Sequence, residues 1–466
     1  MPQRADILFR DIDWLITVDS GRRILRDAAI AVKDGRISAV GKSAELVQAY
    51  GAAKEIDSSG MVVTPGFIDA HLHSSFHLSR GLADEANAQS FLFDRMYPYE
   101  AALEAEDVRV SAQFAASELL RHGVTCFIDP GNYHPEASVE GVMATGIRML
   151  ISRSSFDLTK SVLGILPERM IETTDVALKR AEEVLERYVK TGNPRLGATA
   201  SFRGLNNASD DLILGLKRLA GKYHTLLQTH ACFSYSTHDS SLARSGLSEI
   251  ERLERLGVLD ERMLVVHAGW LEPHEVAILS RRKPSLVCAP SSSLHNGYGN
   301  FLMGKLPELM ALGVNVGLGS DHASSGIVDM VQEMRIACCA YKETRANPRV
   351  MPPETGLEMA TLNGAKVTPW ADRIGSIEEG KDADLVMFDT ARPEWQPLLN
   401  PVANLVYSAT GDSVRHVFVA GEQVVRDGRL TRIDETDLYR QIPQAVARFS
   451  KRLRMDEIVQ LRWPVS

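Results

Sequence analysis

The middle of the chain alternates between short apolar runs and longer segments whose apolar residues recur at helical spacing. The helical segments include Asp107–His122, Thr174–Tyr188 and Leu212–Lys222. Eight strand–helix units over about 260 residues predict a parallel (β/α)8 TIM barrel. In chain order the predicted strands are Val62–Ala70, Val124–Asp129, Ile147–Ser152, Leu196–Ser201, Thr225–Thr229, Met263–Val266, Ser285–Ala289 and Val314–Gly319.

An open, doubly wound sheet is the alternative arrangement of such units. It is disfavoured because no G-x-G-x-x-G motif follows a first strand. It also offers no explanation for the polar residues that follow several of the strands.

Both ends of the chain have a different pattern, typical of β-structure. Short β-rich runs fill residues 6–60, and the Asp34-Gly35 pair between two of them predicts a hairpin. Similar runs recur at Ala383–Phe388 and Val414–Gly421. We therefore expect the two ends to join into one small composite β-sandwich. The predicted parts are residues 1–61 plus 376–430 for the β-sandwich, 62–375 for the barrel and 431–466 for a helical extension with an amphipathic helix at Leu438–Leu453.

Composition limits the possible partners. With 466 residues the chain is too long for one ordinary core, and its net charge of −8 gives no basic surface for nucleic acid or an anionic membrane. No apolar run could span a bilayer, and the first residues lack a signal peptide. The five cysteines are scattered and form no CxxC pair, which predicts reduced thiols in a cytoplasmic protein.

Histidines and an aspartate follow four of the predicted strands. His71 and His73 have the i, i+2 spacing that places two side chains on one face of a strand. His230 follows strand five, His267 follows strand six and Asp321 follows strand eight. A lone histidine at a strand end is more often structural, but these strand ends surround one cavity in a barrel. Three histidines and a carboxylate suit a divalent ion such as Zn²⁺, which lowers the pKa of a bound water to around 7.

Several motifs make the chain similar to the amidohydrolase superfamily over nearly its whole length. This resemblance implies a metal-dependent hydrolase with a composite β-sandwich, acting on a small molecule. It also implies a homo-oligomer, either a dimer or a tetramer. The motifs are Pro65–His73, Arg80–Asp84, His122–Thr125, Thr229–His230, Val266–Ala268, Gly313–Asp321 and Gly375–Leu385.

The fourth strand distinguishes two branches of that superfamily. Binuclear members carry a bridging carboxylated lysine there, whereas this chain has no lysine in Leu196–Phe202. It therefore resembles the mononuclear branch of deaminases and triazine hydrolases, with one divalent ion per chain. Zinc is the first choice, and iron, cobalt and manganese tolerate the same donors. By resemblance, the metal ligands are His71, His73, His230 and Asp321, and His267 contacts the attacking water or the substrate.

The chain departs from the deaminase pattern after strand five. Deaminases of this branch have His-x-x-Glu, whose acid moves protons, but here Phe233 stands in the place of that acid. The predicted reaction is therefore cleavage of a C–N or C–S bond at the carbonyl of a neutral amide, urea, carbamate or thiocarbamate. Asp321 would accept the proton of the water, and His267 or the metal would polarise the carbonyl oxygen. The chain resembles phenylurea and thiocarbamate (molinate) hydrolases in this respect.

Two other functions stay open. One is an aminohydrolase acting on a purine, pterin or triazine, with His238, His295 or His322 as the proton donor. The other is a non-catalytic scaffold, which the complete ligand set argues against. Five residues are candidate substrate contacts, although each histidine among them could equally be an ordinary surface residue. They are His77, Phe233, His238, His295 and His322.

Overall fold

The structure is a computed structural model that describes residues 2–161, 163–459 and 463–464. Strands and helices alternate through its middle part, as the sequence predicts. The strands are β1 (Gln3–Ile16), β2 (Ile24–Lys33), β3 (Arg36–Lys42), β4 (Tyr50–Asp57), β5 (Met61–Pro65), β6 (Phe67–Asp69), β7 (Val124–Ile128), β8 (Arg148–Ile151), β9 (Leu196–Ala198), β10 (Ala200–Gly204), β11 (Leu227–Ala231), β12 (Met263–His267), β13 (Ser285–Cys288), β14 (Val316–Leu318), β15 (Leu385–Asp389), β16 (Val414–Val419), β17 (Glu422–Arg426) and β18 (Arg429–Leu430).

Most of the longer helices connect the strands of the middle part. A π-helical segment, Phe91–Met96, lies between the second and third helices. The α-helices are α1 (Ser43–Ala49), α2 (Ala88–Ser90), α3 (Tyr97–Ala102), α4 (Ala105–Arg121), α5 (Pro135–Met143), α6 (Thr174–Val189), α7 (Asp210–Lys222), α8 (Tyr235–Ser245), α9 (Glu249–Arg255), α10 (Pro273–Arg282), α11 (Pro290–His295), α12 (Asn300–Met303), α13 (Leu306–Ala311), α14 (Met330–Thr344), α15 (Pro353–Met359), α16 (Leu362–Ala365), α17 (Pro401–Tyr407), α18 (Glu435–Leu453) and α19 (Met455–Ile458).

The strands from β6 to β14 form the predicted barrel. Parallel pairing runs from β6 through β9 and again from β10 through β14. The segments β9 and β10 are consecutive parts of the fourth barrel strand, interrupted only at Thr199. The ring closes where the amide of Ala70 donates to the carbonyl of Leu318 at 2.8 Å and the amide of Asp321 donates to the carbonyl of His71 at 2.9 Å. The (β/α)8 prediction is confirmed.

The first predicted barrel strand is two strands in the structure. Residues Met61–Pro65 pair with a separate sheet, and only Phe67–Asp69 pair within the barrel. The break falls at Gly66, where an added Cβ would lie 2.1 Å from the hydroxyl oxygen of Thr125. The chain changes sheets at the one residue that has no side chain to obstruct the approach of β7.

The barrel interior is filled by side chains that alternate along its strands. In β6, Ile68 packs inward while Phe67 packs outward against the helices. Trp370 belongs to the same inner cluster, together with residues that follow α16. The strand residues of this cluster are Ile68, Ala70, Cys126, Ile128, Leu150, Leu264, Val266 and Val287.

The two ends of the chain share one nine-stranded sheet, in the order β18-β17-β16-β15-β5-β1-β2-β3, with β4 paired to β1. The strand β15 pairs antiparallel with β5, and β1 pairs parallel with β5. Strands from residues 3–65 and 385–430 therefore meet in this sheet. The predicted division into residues 1–61 plus 376–430, 62–375 and 431–466 stays a prediction.

The C-terminal part contains the amphipathic helix expected from the sequence. The helix α18 contributes Leu438, Ala445 and Phe449 to a cluster with residues of the Phe76–Val110 region. Residues 460–462 and 465–466 of the predicted extension lie outside the described residues. No helix in the described part of the chain is long and apolar enough to cross a membrane.

The close approach at Gly66 can be tested by substitution. Gly66→Ala is expected to lower the free energy of unfolding by about 1–3 kcal/mol, because its Cβ would overlap Thr125. Chemical denaturation measures this difference. Gly221→Ala is the matched control, since a Cβ at that helical position meets nothing within 4 Å. Equal stability of the two variants would contradict the role assigned to Gly66.

Candidate metal centre

Four side chains converge at the carboxyl end of the barrel. One ligand atom from each of His71, His73, His230 and Asp321 lies within 4.8 Å of the others. The Nε2 atom of His230 is 3.0 Å from that of His71 and 3.1 Å from that of His73. Oδ1 of Asp321 is 3.3 Å from Nε2 of His71. Uncoordinated imidazoles gain little from such crowding, and this donor set suits a borderline divalent ion.

The backbone holds the first and last barrel strands in register at this point. The amide of His73 donates to the carbonyl of Asp321 at 2.8 Å. Asp69, at the end of β6, accepts hydrogen bonds from the amide of His71 at 3.1 Å and from the hydroxyl of Ser320 at 2.5 Å. Burial raises the pKa of Asp69 to about 6. This buried carboxyl therefore connects the two strand ends beneath the metal site.

Two of the four side chains are oriented by neighbours. Nδ1 of His230 lies 2.6 Å from the carbonyl oxygen of Arg203, which accepts only if Nδ1 carries the hydrogen. Nε2 is then free to act as a ligand. The hydroxyl of Ser292 donates to Oδ2 of Asp321 at 2.6 Å, which leaves Oδ1 facing the imidazoles.

Burial sets the protonation of the site. Burial is the largest of the causes that hold the pKa values of His73 and His230 well below the usual range for histidine. Burial also lowers the pKa of His267 to about 4. Burial alone would raise the pKa of Asp321, but His322 and the other nearby imidazoles hold it well below its usual value. Neutral imidazoles and an ionised carboxylate are the forms that bind a metal, so the donor chemistry fits the expected ion.

The fifth predicted residue, His267, lies beside the four ligand candidates. Its Nε2 is 3.8 Å from Oδ2 of Asp321, and its Nδ1 is buried without a hydrogen-bond partner. Both His267 (φ 79°) and Asp321 (φ 66°) have left-handed backbones. Such strain is concentrated at functional sites, because the surrounding structure must hold it.

A cavity opens next to these residues and has mostly aromatic walls. The ring of Phe233 lies 5.6 Å from that of His267 and 5.3 Å from that of Tyr298, measured between centroids. The lining residues are His73, Phe76, Phe91, Leu92, Phe93, Tyr97, Phe156, Leu163, Arg203, Gly204, Leu205, Asn206, Asn207, His230, Phe233, Glu249, His267, Tyr298, Asp321 and His322.

Among the predicted substrate contacts, the structure places Phe233 and His322 in the cavity wall and the other three outside its lining. His77 follows a 3-10 turn that directs its ring toward α4, where Nε2 lies 2.7 Å from a carboxylate oxygen of Glu118. His238 is buried on α8, and His295 lies 3.3 Å from Asp84.

Sequence reasoning missed Arg203, which lines the cavity and pairs with a glutamate outside that lining. The guanidinium of Arg203 donates to both carboxylate oxygens of Glu100, at 2.7 and 2.8 Å, and to the hydroxyl of Ser154. Arg203 is the penultimate residue of the fourth barrel strand, so the rule that strand ends carry function could have identified it.

Comparisons with known proteins match the family and the fold of this chain. The amidohydrolase family matches residues 62–424. A 5'-deoxyadenosine deaminase of Methanopyrus kandleri is 32% identical over 89% of this chain and 94% of its own length. A 5-methylthioadenosine/S-adenosylhomocysteine deaminase of Syntrophobacter fumaroxidans is 29% identical over 92% of this chain and 94% of its own length. The structure of an adenosine deaminase from Xanthomonas campestris with bound zinc has a TM-score of 0.90 and 27% identity, and covers 97% of this chain and 100% of that chain.

Elemental analysis of the purified protein is expected to find about one divalent ion per chain. His73→Ala should lower this ratio at least about tenfold, because it removes one of the four converging donors. The matched control is His77→Ala, which removes a buried imidazole that faces Glu118 instead. Two tightly bound ions in the unmodified protein, or an unchanged ratio in His73→Ala, would contradict the assignment.

Proposed function

This chain belongs to the amidohydrolase family and is a metal-dependent hydrolase, and we propose that it is an aminohydrolase that removes an amino group from an aromatic heterocycle such as an adenine ring. The observation that carries the proposal is the similarity, over about nine-tenths of the chain, to deaminases of 5'-deoxyadenosine and 5-methylthioadenosine. These relatives support the aminohydrolase alternative better than the hydrolysis of ureas or carbamates.

The walls of the cavity support a planar aromatic substrate. Phe233, Tyr298 and Phe91 present ring faces and edges within one pocket. Aromatic pairs gain about 0.5–1.5 kcal/mol beyond the area that they bury. A flat heterocycle between these rings would bring its reacting carbon toward the convergence point of His71, His73, His230 and Asp321.

The polar residues of the site have separate roles in this reaction. A divalent ion held by His71, His73, His230 and Asp321 would supply a water that is activated at neutral pH. Asp321 would be the base that takes a proton from the attacking water, and the Ser292 hydroxyl holds this carboxylate in place by donating to Oδ2. His267 is neutral near pH 7 because burial lowers its pKa to about 4, so its ring can donate a hydrogen bond to the substrate without a change in charge.

The carbonyl hydrolase remains a second candidate because of one residue. Phe233 occupies the position where deaminases of this branch place a proton-carrying glutamate, and its ring faces His267. A neutral urea, carbamate or thiocarbamate has no aromatic ring nitrogen that must be protonated, so its hydrolysis depends less on that glutamate. The two candidates differ in their product, since only the aminohydrolase releases ammonia from a heterocycle.

The homo-oligomeric state and the cytoplasmic location stay predictions.

A substrate panel separates the two candidates. The protein is expected to release ammonia from adenosine, 5'-deoxyadenosine or 5-methylthioadenosine and to leave phenylureas, carbamates and thiocarbamates intact. An ammonia assay and the change in purine absorbance measure the reaction. Turnover of the carbonyl compounds alone would contradict the proposal.

The same assay tests Asp321. Asp321→Asn is expected to abolish turnover, with a loss of at least about 1,000-fold in kcat, because the amide cannot accept the proton. Asp84→Asn is the control, since Asp84 lies beside His295 and is not among the cavity-lining residues. Retained activity in Asp321→Asn would refute the assigned role.

A further inference from the structure

We infer that Glu249 is the acid that delivers a proton to the leaving nitrogen. This inference rests on the proposed aminohydrolase function. Among the residues that the structure describes, only two with carboxyl groups line the cavity, Asp321 and Glu249. Asp321 belongs to the metal cluster, so Glu249 is the remaining acid in the lining of the cavity.

The position of Glu249 explains why a motif search overlooks it. It is the first residue of α9, directly after the capping residue Ser248, and 19 positions beyond His230 in the sequence. Its Oε2 accepts the backbone amide of Cys232 at 2.6 Å, so its carboxyl group lies against the loop that carries Phe233. An acid from α9, the second helix after β11, thus bonds to the loop from which the expected glutamate is missing.

The reaction requires such a group, because an amide anion is a very poor leaving group. The oxygen of the water bonds to the ring carbon, and the water loses one proton. The C–N bond breaks with its electron pair on nitrogen, and neutral Glu249 gives that nitrogen a proton, so that ammonia departs. The proton lost by the water restores Glu249, and atoms and charge balance.

The surroundings of Glu249 allow both protonation states near neutral pH. Burial raises its pKa to about 7, and the nearby Glu275 of α10 acts in the same direction. The backbone amide and thiol of Cys232, from the loop after β11, and the hydroxyl of Thr237, from α8, oppose this shift by hydrogen bonding. The other titratable groups that line the same cavity are His73, Tyr97, Arg203, His230, His267, Tyr298, Asp321 and His322.

The test compares Glu249→Gln with Glu333→Gln. Both glutamates are buried and accept a backbone amide, from Cys232 at 2.6 Å and from Ser291 at 2.9 Å, but Glu333 is not among the cavity-lining residues. Glutamine preserves each of these hydrogen bonds and removes the proton. Glu249→Gln is expected to lower kcat about 100-fold or more, while Glu333→Gln stays within about threefold.

The pH dependence of kcat adds a readout that a purely structural role would not change. Loss of the acid form should make wild-type kcat fall about tenfold per pH unit above about pH 7. This decline should disappear in Glu249→Gln. If Glu249→Gln does not fold, Glu249→Asp decides: at least about tenfold more activity than Glu249→Ala supports the inference, and equal activity of the two overturns it.

The outcomes separate this inference from the function on which it rests. If the wild-type protein releases no ammonia from any heterocycle of the panel, the proposed function fails and this inference falls with it. If the wild-type protein turns over a heterocycle and Glu249→Gln retains kcat within about threefold, only the role of Glu249 is overturned. A loss shared equally by Glu249→Gln and Glu333→Gln would likewise overturn it, because it would reflect packing alone.

Discussion

The hydrogen-bonded seam between the first and last barrel strands is the constraint on which the site depends. The amide of Asp321 bonds to the carbonyl of His71, and the amide of His73 bonds to the carbonyl of Asp321. Residues about 250 positions apart in the chain thus become neighbours with a fixed register. The left-handed backbone of Asp321 then turns its carboxylate toward the imidazoles. An open sheet would leave these two strand ends apart, so closure of the barrel assembles the metal site.

Much of this arrangement could be predicted because it follows from periodicity. Parallel strands of a barrel end on the same face, so residues that follow different strands lie close together. The sequence therefore indicated the site through the i, i+2 spacing of His71 and His73 and through the positions of His230 and Asp321 after apolar runs. The division of the first predicted strand at Gly66 was not predicted, because residues of the barrel and residues of the nine-stranded sheet form one continuous apolar run in the sequence. Glu249 escaped for another reason: nothing in its local sequence indicates that α9 packs against the loop after β11.

Charge in the cavity explains how the histidines stay available as ligands. Burial is the largest cause of the lowered pKa of His73, and the positive charge of Arg203 is the next. That guanidinium is itself buried, and its desolvation is offset by Glu100 and Ser154. The fourth strand therefore contributes a cation that disfavours protonation of a neighbouring ligand.

The nine-stranded sheet has a consequence for synthesis on the ribosome. The strand β5 emerges early, but its antiparallel partner β15 follows more than 300 residues later. At about 5–20 residues per second, one edge of β5 waits unpaired for at least about 15 seconds while the whole barrel is translated. Unpaired apolar edges recruit other strands. The nascent chain is therefore most exposed to aggregation in this interval, and strands made late in synthesis complete a sheet that the first-made strands began.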